Sequence, residues 1–139
     1  MFLYVAIENG IINQVGNGSI IGVEIFECEN CTSILSIPSQ VDGYPVLRIS
    51  MIAFAEQSIT ELTLPNTLQR INLFAFSGNQ LTNVVIPESV TYIGSGAFGE
   101  NPLEKVTIIN FSSKTNEQQV ALVGHGQFNY SGDIYSSVE

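Results

Sequence analysis

The chain has 139 residues, 45% of them hydrophobic and only 12% charged. A single domain of this length buries roughly two thirds of the surface its unfolded chain would expose, and so apolar a composition excludes a disordered chain. Four basic residues (Arg48, Arg70, Lys105 and Lys114) against thirteen acidic ones give a net charge of -9, which excludes a duplex nucleic-acid binder and a protein held on anionic membranes.

Met1 to Ile7 is apolar but has no basic flank and runs at once into Glu8-Asn9-Gly10, which is too short for a secretory signal. No apolar run reaches the ~18 residues of a membrane span, so no membrane insertion is expected. If Met1 is the native start, the chain belongs in the cytoplasm. Residues 1–31 read as an N-terminal cap of short strands and tight turns. Val5, Ile7, Ile11, Ile12, Val15, Ile20, Ile21, Val23, Ile25 and Phe26 alternate with breaks at Gly10, Gly16, Gly18 and Gly22. Cys28 and Cys31 form a lone CxxC. A structural zinc site needs a second pair of ligands, and a redox motif wants a helix after the second cysteine. Neither is present. The pair reads as two small residues at a strand entrance or as a local disulfide, with thiol-redox or metal chemistry as the rival.

The main signal is an internal repeat. Ala53-Phe54, Ala75-Phe76 and Ala97-Phe98 recur every 22 residues. The same step relates Ile59, Leu81 and Leu103; Leu62, Val84 and Val106; Leu64, Ile86 and Ile108; and Ile49, Ile71 and Ile93. Pro65 maps onto Pro87, and Leu68 onto Val90. An earlier, partial unit begins at Leu35-Ser36-Ile37-Pro38, with an insertion around the turn signal Asp42-Gly43-Tyr44-Pro45. Residues 32–109 are thus the repeat region, and 110–139 a C-terminal cap or tail.

Each unit can be read physically. Leu62 and Leu64 are two apart, so in an extended segment they share a side while Thr63 faces the other way. Stacked coils pair such segments into a short parallel sheet of about four strands, ~4.8 Å apart. Pro65 ends the strand. Leu68 and Ile71 return to the core on a second side, and Ala-Phe closes a third. Phe54, Phe76 and Phe98 are expected to stack as a spine. Gln57, Asn79 and Asn101 are placed to bond the backbone of neighbouring coils. The unit is too short for a long convex helix, so 3-10 turns or extended stretches are expected there. Leu35, Ile37, Leu62, Leu64, Val84, Ile86, Val106 and Ile108 should be buried. Val120 to Val123 is expected to add a strand over the last coil, and Tyr130 to Glu139 to be frayed or strand-like.

The run I-P-x-x-V-x-x-I-x-x-x-A-F, with its first-unit variant I-P-S-Q-V-D-G-Y-P-V-L-R-I, resembles the BspA-type leucine-rich repeats, also called the Treponema pallidum type. The resemblance spans roughly residues 32–110. It implies a right-handed leucine-rich-repeat solenoid with irregular caps and no cofactor. It also implies a surface or secreted protein of a bacterium or protist that binds host or extracellular-matrix proteins.

No catalytic set emerges from the residues. His125 is the lone histidine and sits in Gly124-His125-Gly126, the signature of a loop. Glu24, Glu27 and Glu29 form an acidic cluster without the Asp/Asn/Gly spacing of a calcium loop, and read as a solvated face. Asn-x-Ser/Thr occurs at Asn17, Asn30, Asn110 and Asn129, about twice the chance frequency, which does not establish glycosylation. The surface left for function is the outward face of the stacked strands. Its binding candidates are Glu61, Thr63, Asn83, Val85, Lys105 and Thr107, which suit a protein or peptide ligand. The leading expectation is a non-enzymatic interaction module. Its alternatives are a structural unit that associates end to end, and an enzyme using Cys28, Cys31 or His125.

Overall fold

The computed structural model describes residues 1–8, 11–13 and 19–137. The turns expected at Gly10, Gly16 and Gly18, together with Val15, Asn17 and Glu139, lie outside the described residues. In chain order the strands are β1 (Phe2–Glu8), β2 (Ile11–Asn13), β3 (Ile20–Cys28), β4 (Ile34–Ser36), β5 (Gln40–Val41), β6 (Tyr44–Ile49) and β7 (Glu61–Thr63). They continue with β8 (Arg70–Ile71), β9 (Asn83–Ile86), β10 (Tyr92–Ile93), β11 (Lys105–Ile109) and β12 (Ile134–Ser137); a 3-10 turn (Phe111–Ser113) and helix α1 (Asn116–Val123) lie between the last two.

The chain is a solenoid, and its sides follow from the repeat. On the first side, β4, β7, β9 and β11 stack in parallel, as the period-2 alternation requires. The ladder is not continuous. β4 pairs with β7, and β9 with β11, but β7 and β9 belong to separate sheets. Leu64 and Ile86 therefore share one hydrophobic core without sharing a sheet, which corrects the expectation of a single ladder. Leu62 sits at the edge of this opening and is only half-buried, whereas the other seven expected core residues of these strands are buried.

The second side is unbroken. β6, β8 and β10 pair in parallel, with Ile49, Ile71 and Ile93 in register. The N-terminal cap feeds directly into it. β1 and β3 are antiparallel, and β3 then pairs in parallel with β6, setting Ile25 opposite Ile49. The bulge announced by Asp42-Gly43 is a small antiparallel hairpin between β5 and β6. Its tip is tied to the cap, because the Tyr4 hydroxyl donates to Asp42 at 2.5 Å. That bond raises the Tyr4 pKa above its ordinary 10.0, since ionisation forfeits the donor. A raised folded pKa means that the contribution is complete below pH ~10 and is lost as pH climbs through the folded value. Tyr4 is expected to ionise above the ordinary tyrosine value in an ultraviolet titration, and Asp42→Asn to bring it back down.

The third side carries the aromatic spine. Phe54 and Phe76 stack at 5.4 Å and Phe76 and Phe98 at 5.3 Å between ring centroids. Two rings extend it beyond the repeat: Phe128 stacks on Phe98 at 5.0 Å, and Phe2 meets Phe54 edge-on at 6.4 Å. Backbone bonds hold the rings in step. Phe54 N–H donates to Ala75 O, Phe76 N–H to Ala97 O, and Phe98 N–H to Gln127 O. Gly126-Gln127-Phe128 thus closes a further coil where Gly96-Ala97-Phe98 closes the one before.

Asparagine joins the coils at the corner after the spine. Asn79 Oδ1 accepts from the backbone N–H groups of Gln57 and Ile59, and its Nδ2 donates to Phe54 O and Phe76 O. Asn101 repeats the pattern one coil on, accepting from Leu81 N–H and donating to Phe76 O and Phe98 O. Gln57 does not join. Its exposed amide donates to Ala55 O and, among the described residues, to no neighbouring coil. Each Asn bonds the coil before its own, and what precedes Gln57 is the cap, where a cavity of about 50 Å3 separates it from Cys28 and Cys31.

The expected strand at Val120 to Val123 is instead part of α1. Thr115 and Gln118 form a reciprocal capping box, which satisfies two backbone donors at the helix start and favours a helix over an extended segment. The strand that covers the last coil is β12, parallel to β11 with Ile134 opposite Val106.

Candidate interaction surface

Strand alternation decides what the first side offers to solvent. Glu61 and Thr63 flank the half-buried Leu62 on β7; Asn83 and Val85 flank the buried Val84 on β9; Lys105 and Thr107 flank the buried Val106 on β11. Lys105 is in register with Asn83, and Thr107 with Val85. All six point outward, Thr107 being half-buried and the rest exposed. The opening between β7 and β9 divides them. Glu61 and Thr63 lie on one lip, the other four on the opposite one. Between the lips is a cleft of about 230 Å3 bordered by Leu62, Thr63, Leu64, Val85 and Pro87. Beyond β11, Tyr135 of β12 extends the row, with Lys105 Nζ 4.8 Å from its ring centroid. The sequence reading missed Tyr135, because no repeat marks β12.

Cys28 and Cys31 are joined as a disulfide at the N-terminal end of the spine, beside Phe54. His125 is exposed at the opposite end, where its backbone N–H donates to Gln127 Oε1 next to Phe128. Three stacked ring pairs separate the two, so the residues of the enzymatic alternative do not come together. No group of three or more His, Cys, Asp or Glu that could hold a metal occurs among the described residues. No helix of the described residues is long and apolar enough to cross a membrane.

A second surface was not anticipated. On the second side, Glu24, Arg48, Arg70 and Tyr92 occupy four consecutive rungs, each in register with the next; Arg70 is exposed, Arg48 and Tyr92 are half-buried, and Glu24 is buried rather than part of a solvated face. They line a groove of about 410 Å3 with Met51 and Leu73. The step from 48 to 70 to 92 was visible in the sequence, but a search for recurring apolar residues passes over a row of unlike polar ones.

Parallel rungs at a 22-residue step, a buried aliphatic and phenylalanine interior and asparagine-bonded corners define a leucine-rich-repeat solenoid, a class built to present surface rather than to house chemistry. The chain belongs to the family described as BspA type leucine rich repeat region, which matches residues 47–129 in six copies. That match runs beyond Asn110 into the coil closed by Phe128. No curated protein matched the sequence. Among solved structures, the crystal structure of a T. pallidum leucine-rich-repeat protein is similar at 20% identity and a TM-score of 0.38, covering 99% of this chain and 83% of that one.

Proposed function

We propose that the protein is a non-enzymatic interaction module that captures an extended protein segment on its first side, and that it works as an adhesin-like, host-interaction protein at a cell surface. The observation that carries the reading is the pattern of alternation. Glu61, Asn83 and Lys105 stand exposed at one position of successive units, with Thr63, Val85 and Thr107 two residues on. Rungs of this kind offer a ligand a row of short polar contacts, with Val85 and Tyr135 as its apolar points. Opposite charges at Glu61 and Lys105 favour a specific register over long-range steering.

The test is the triple variant Glu61→Ala, Asn83→Ala, Lys105→Ala against immobilised extracellular-matrix proteins. It is expected to keep its circular dichroism and its melting temperature, since surface changes usually stay within about 0.5 kcal/mol, and to lose capture. Capture that survives moves the site off this face.

End-to-end association is a second reading, supported by the position of β12. It is the last strand of its sheet among the described residues, so one edge lacks a partner strand. Light scattering across concentration separates the two: a binder stays monomeric, whereas a stacking unit grows.

A further inference from the structure

We infer, on the first-side reading above, that the captured segment carries an apolar side chain between a basic and an acidic one, and that the apolar side chain seats in the cleft where β7 and β9 part. The segment crosses the rungs. Its basic residue meets Glu61, its apolar residue lies on Leu62 and Val85, and its acidic residue meets Lys105.

The opening is local. Before the strands the two coils are bonded, Gln80 N–H donating to Ile59 O at 2.8 Å, and beyond them Thr91 N–H donates to Gln69 O at 2.9 Å. Along the strands β4 pairs with β7 and β9 with β11, but no ladder joins β7 to β9. Each strand of a parallel sheet turns hydrogen-bonding groups to both neighbours, so the two lips keep backbone donors and acceptors that no rung meets. The parting also uncovers side chains. Leu62 is half-buried, although Leu35, Val84 and Val106, which hold its position in the other coils, are at most 3% exposed. On the opposite lip Val85 is 52% exposed. An apolar side chain lodged between them restores the burial that the coils forgo here.

Charge decides what flanks that side chain. Glu61 is exposed, and its carboxylate has no partner among the described residues. Of the basic residues, Arg48 has a partner within the chain, Arg70 donates to Asn72 Oδ1 and Lys114 to Glu88 O. Lys105 faces the Tyr135 ring and pairs with no carboxylate among the described residues, Glu104 beside it included. A ring holds an ammonium without neutralising it, so the donors of Lys105 stay open to a carboxylate. Glu61 and Lys105 are two rungs apart, ~10 Å or more, and a ligand with the complementary pair of charges meets both. Alternate residues of an extended segment share a face, so basic, apolar and acidic residues at i, i+2 and i+4 span ~13 Å. The long side chains at its ends adjust that span to the two rungs and the opening. Nucleic acid or an anionic surface offers nothing to Glu61, and the net charge of -9 repels both.

The test uses the intact chain and a fluorescein-labelled peptide with Arg, Leu and Glu at alternate positions of a Ser/Thr frame, followed by anisotropy. Control peptides replace Leu by Ser, or both charged residues by Gln. The first peptide is expected to bind, and both controls to bind at least tenfold more weakly, as the loss of charge-assisted hydrogen bonds or of an apolar anchor gives. Glu61→Lys should bind the first peptide at least tenfold more weakly and prefer one with Glu in place of Arg, a reversal that a merely structural glutamate would not give. Glu117→Lys makes the same change of charge on α1 and should keep the parent's preference. Val85→Thr should weaken binding several-fold at an unchanged melting temperature, since threonine keeps the strand propensity and loses apolar contact. Absence of binding, equal binding of either control peptide, an unchanged preference in Glu61→Lys, the same reversal in Glu117→Lys, or unchanged affinity in Val85→Thr each overturns the inference. Self-association of the parent that Val85→Thr abolishes also overturns it, and gives the cleft to a second copy. The first-side reading is decided separately, by capture of matrix proteins: it stands where the triple alanine variant loses capture, whether or not the peptide binds.

Discussion

Phe76→Ala is expected to leave the protein largely unfolded or insoluble. Phe76 is fully buried and is the middle ring of the spine, stacked on Phe54 on one side and Phe98 on the other. Truncating a buried phenylalanine costs about 3–5 kcal/mol, part of it lost transfer energy and part the cavity left behind. The cavity term should be near its upper range here. The flanking rings cannot slide together, because the Phe54–Ala75 and Phe76–Ala97 backbone bonds fix the spacing of the coils. A domain of this size has about 5–15 kcal/mol in total, so one ring removes a large share of it. Urea unfolding followed by circular dichroism is the measurement, with Phe2→Ala as the reference. Phe2 is half-buried and touches the spine edge-on, so its loss should cost clearly less. A shift of only a degree or two for Phe76→Ala would remove the spine from the list of what holds the fold.

The spine was legible because Ala-Phe recurs at one unvarying step, and the row of Ile49, Ile71 and Ile93 was legible for the same reason. Where the step changes, the sequence goes quiet. The last coil takes 30 residues from Phe98 to Phe128, holds a helix, and puts Gln127 where the others have Ala. Gln127 is nonetheless buried, its Oε1 accepting from His125 N–H and its Nε2 donating to Val120 O. These bonds satisfy a side chain whose polarity alone would place it on the surface. Likewise, Ile25 occupies the rung before Ile49 with no Pro or Ala-Phe to mark its unit. The helix has its own signal in the Thr115–Gln118 pair, but the short apolar run after it fits a strand as well as a helix. The parting of β7 from β9 has no counterpart in the sequence: the units on either side match position for position. Of the surfaces, the first could be derived from alternation. The second needed the register of β6, β8 and β10 to bring Arg48, Arg70 and Tyr92 side by side.

Asn79→Ala is expected to cost about as much as the loss of a core ring, although the side chain is small and polar. Asn79 is nearly fully buried, and its amide makes four hydrogen bonds to backbone groups. Without it the Phe76 carbonyl keeps Asn101 Nδ2 as a donor. The Gln57 and Ile59 N–H groups and the Phe54 carbonyl lose the partner that Asn79 supplied. Each buried polar group stripped of its partner costs about 1–3 kcal/mol, so the Ile59 N–H and the Phe54 carbonyl together amount to about 2–6 kcal/mol unless water enters, and the part-buried Gln57 N–H adds to this. Asn101→Ala should be milder, because Asn101 is only half-buried. Asn79→Asp separates hydrogen bonding from shape. An ionised carboxylate still accepts from Gln57 and Ile59 but faces the Phe54 and Phe76 carbonyls with no proton to give. A protonated one can donate to a single carbonyl. Burial and the facing carbonyls raise the folded pKa of this aspartate above its unfolded value of about 3.9. Relative to the ionised form, the contribution from its protonation is then complete below pH ~3.9 and is lost as pH rises through the folded value. The deficit of Asn79→Asp against the parent should therefore be largest at neutral pH and shrink on acidification, whereas that of Asn79→Ala stays level. Denaturant midpoints of parent and both variants, measured from pH 7 to pH 4, check this directly. Parallel curves for the two variants would mean that the corner is held by packing rather than by the asparagine's donor and acceptor.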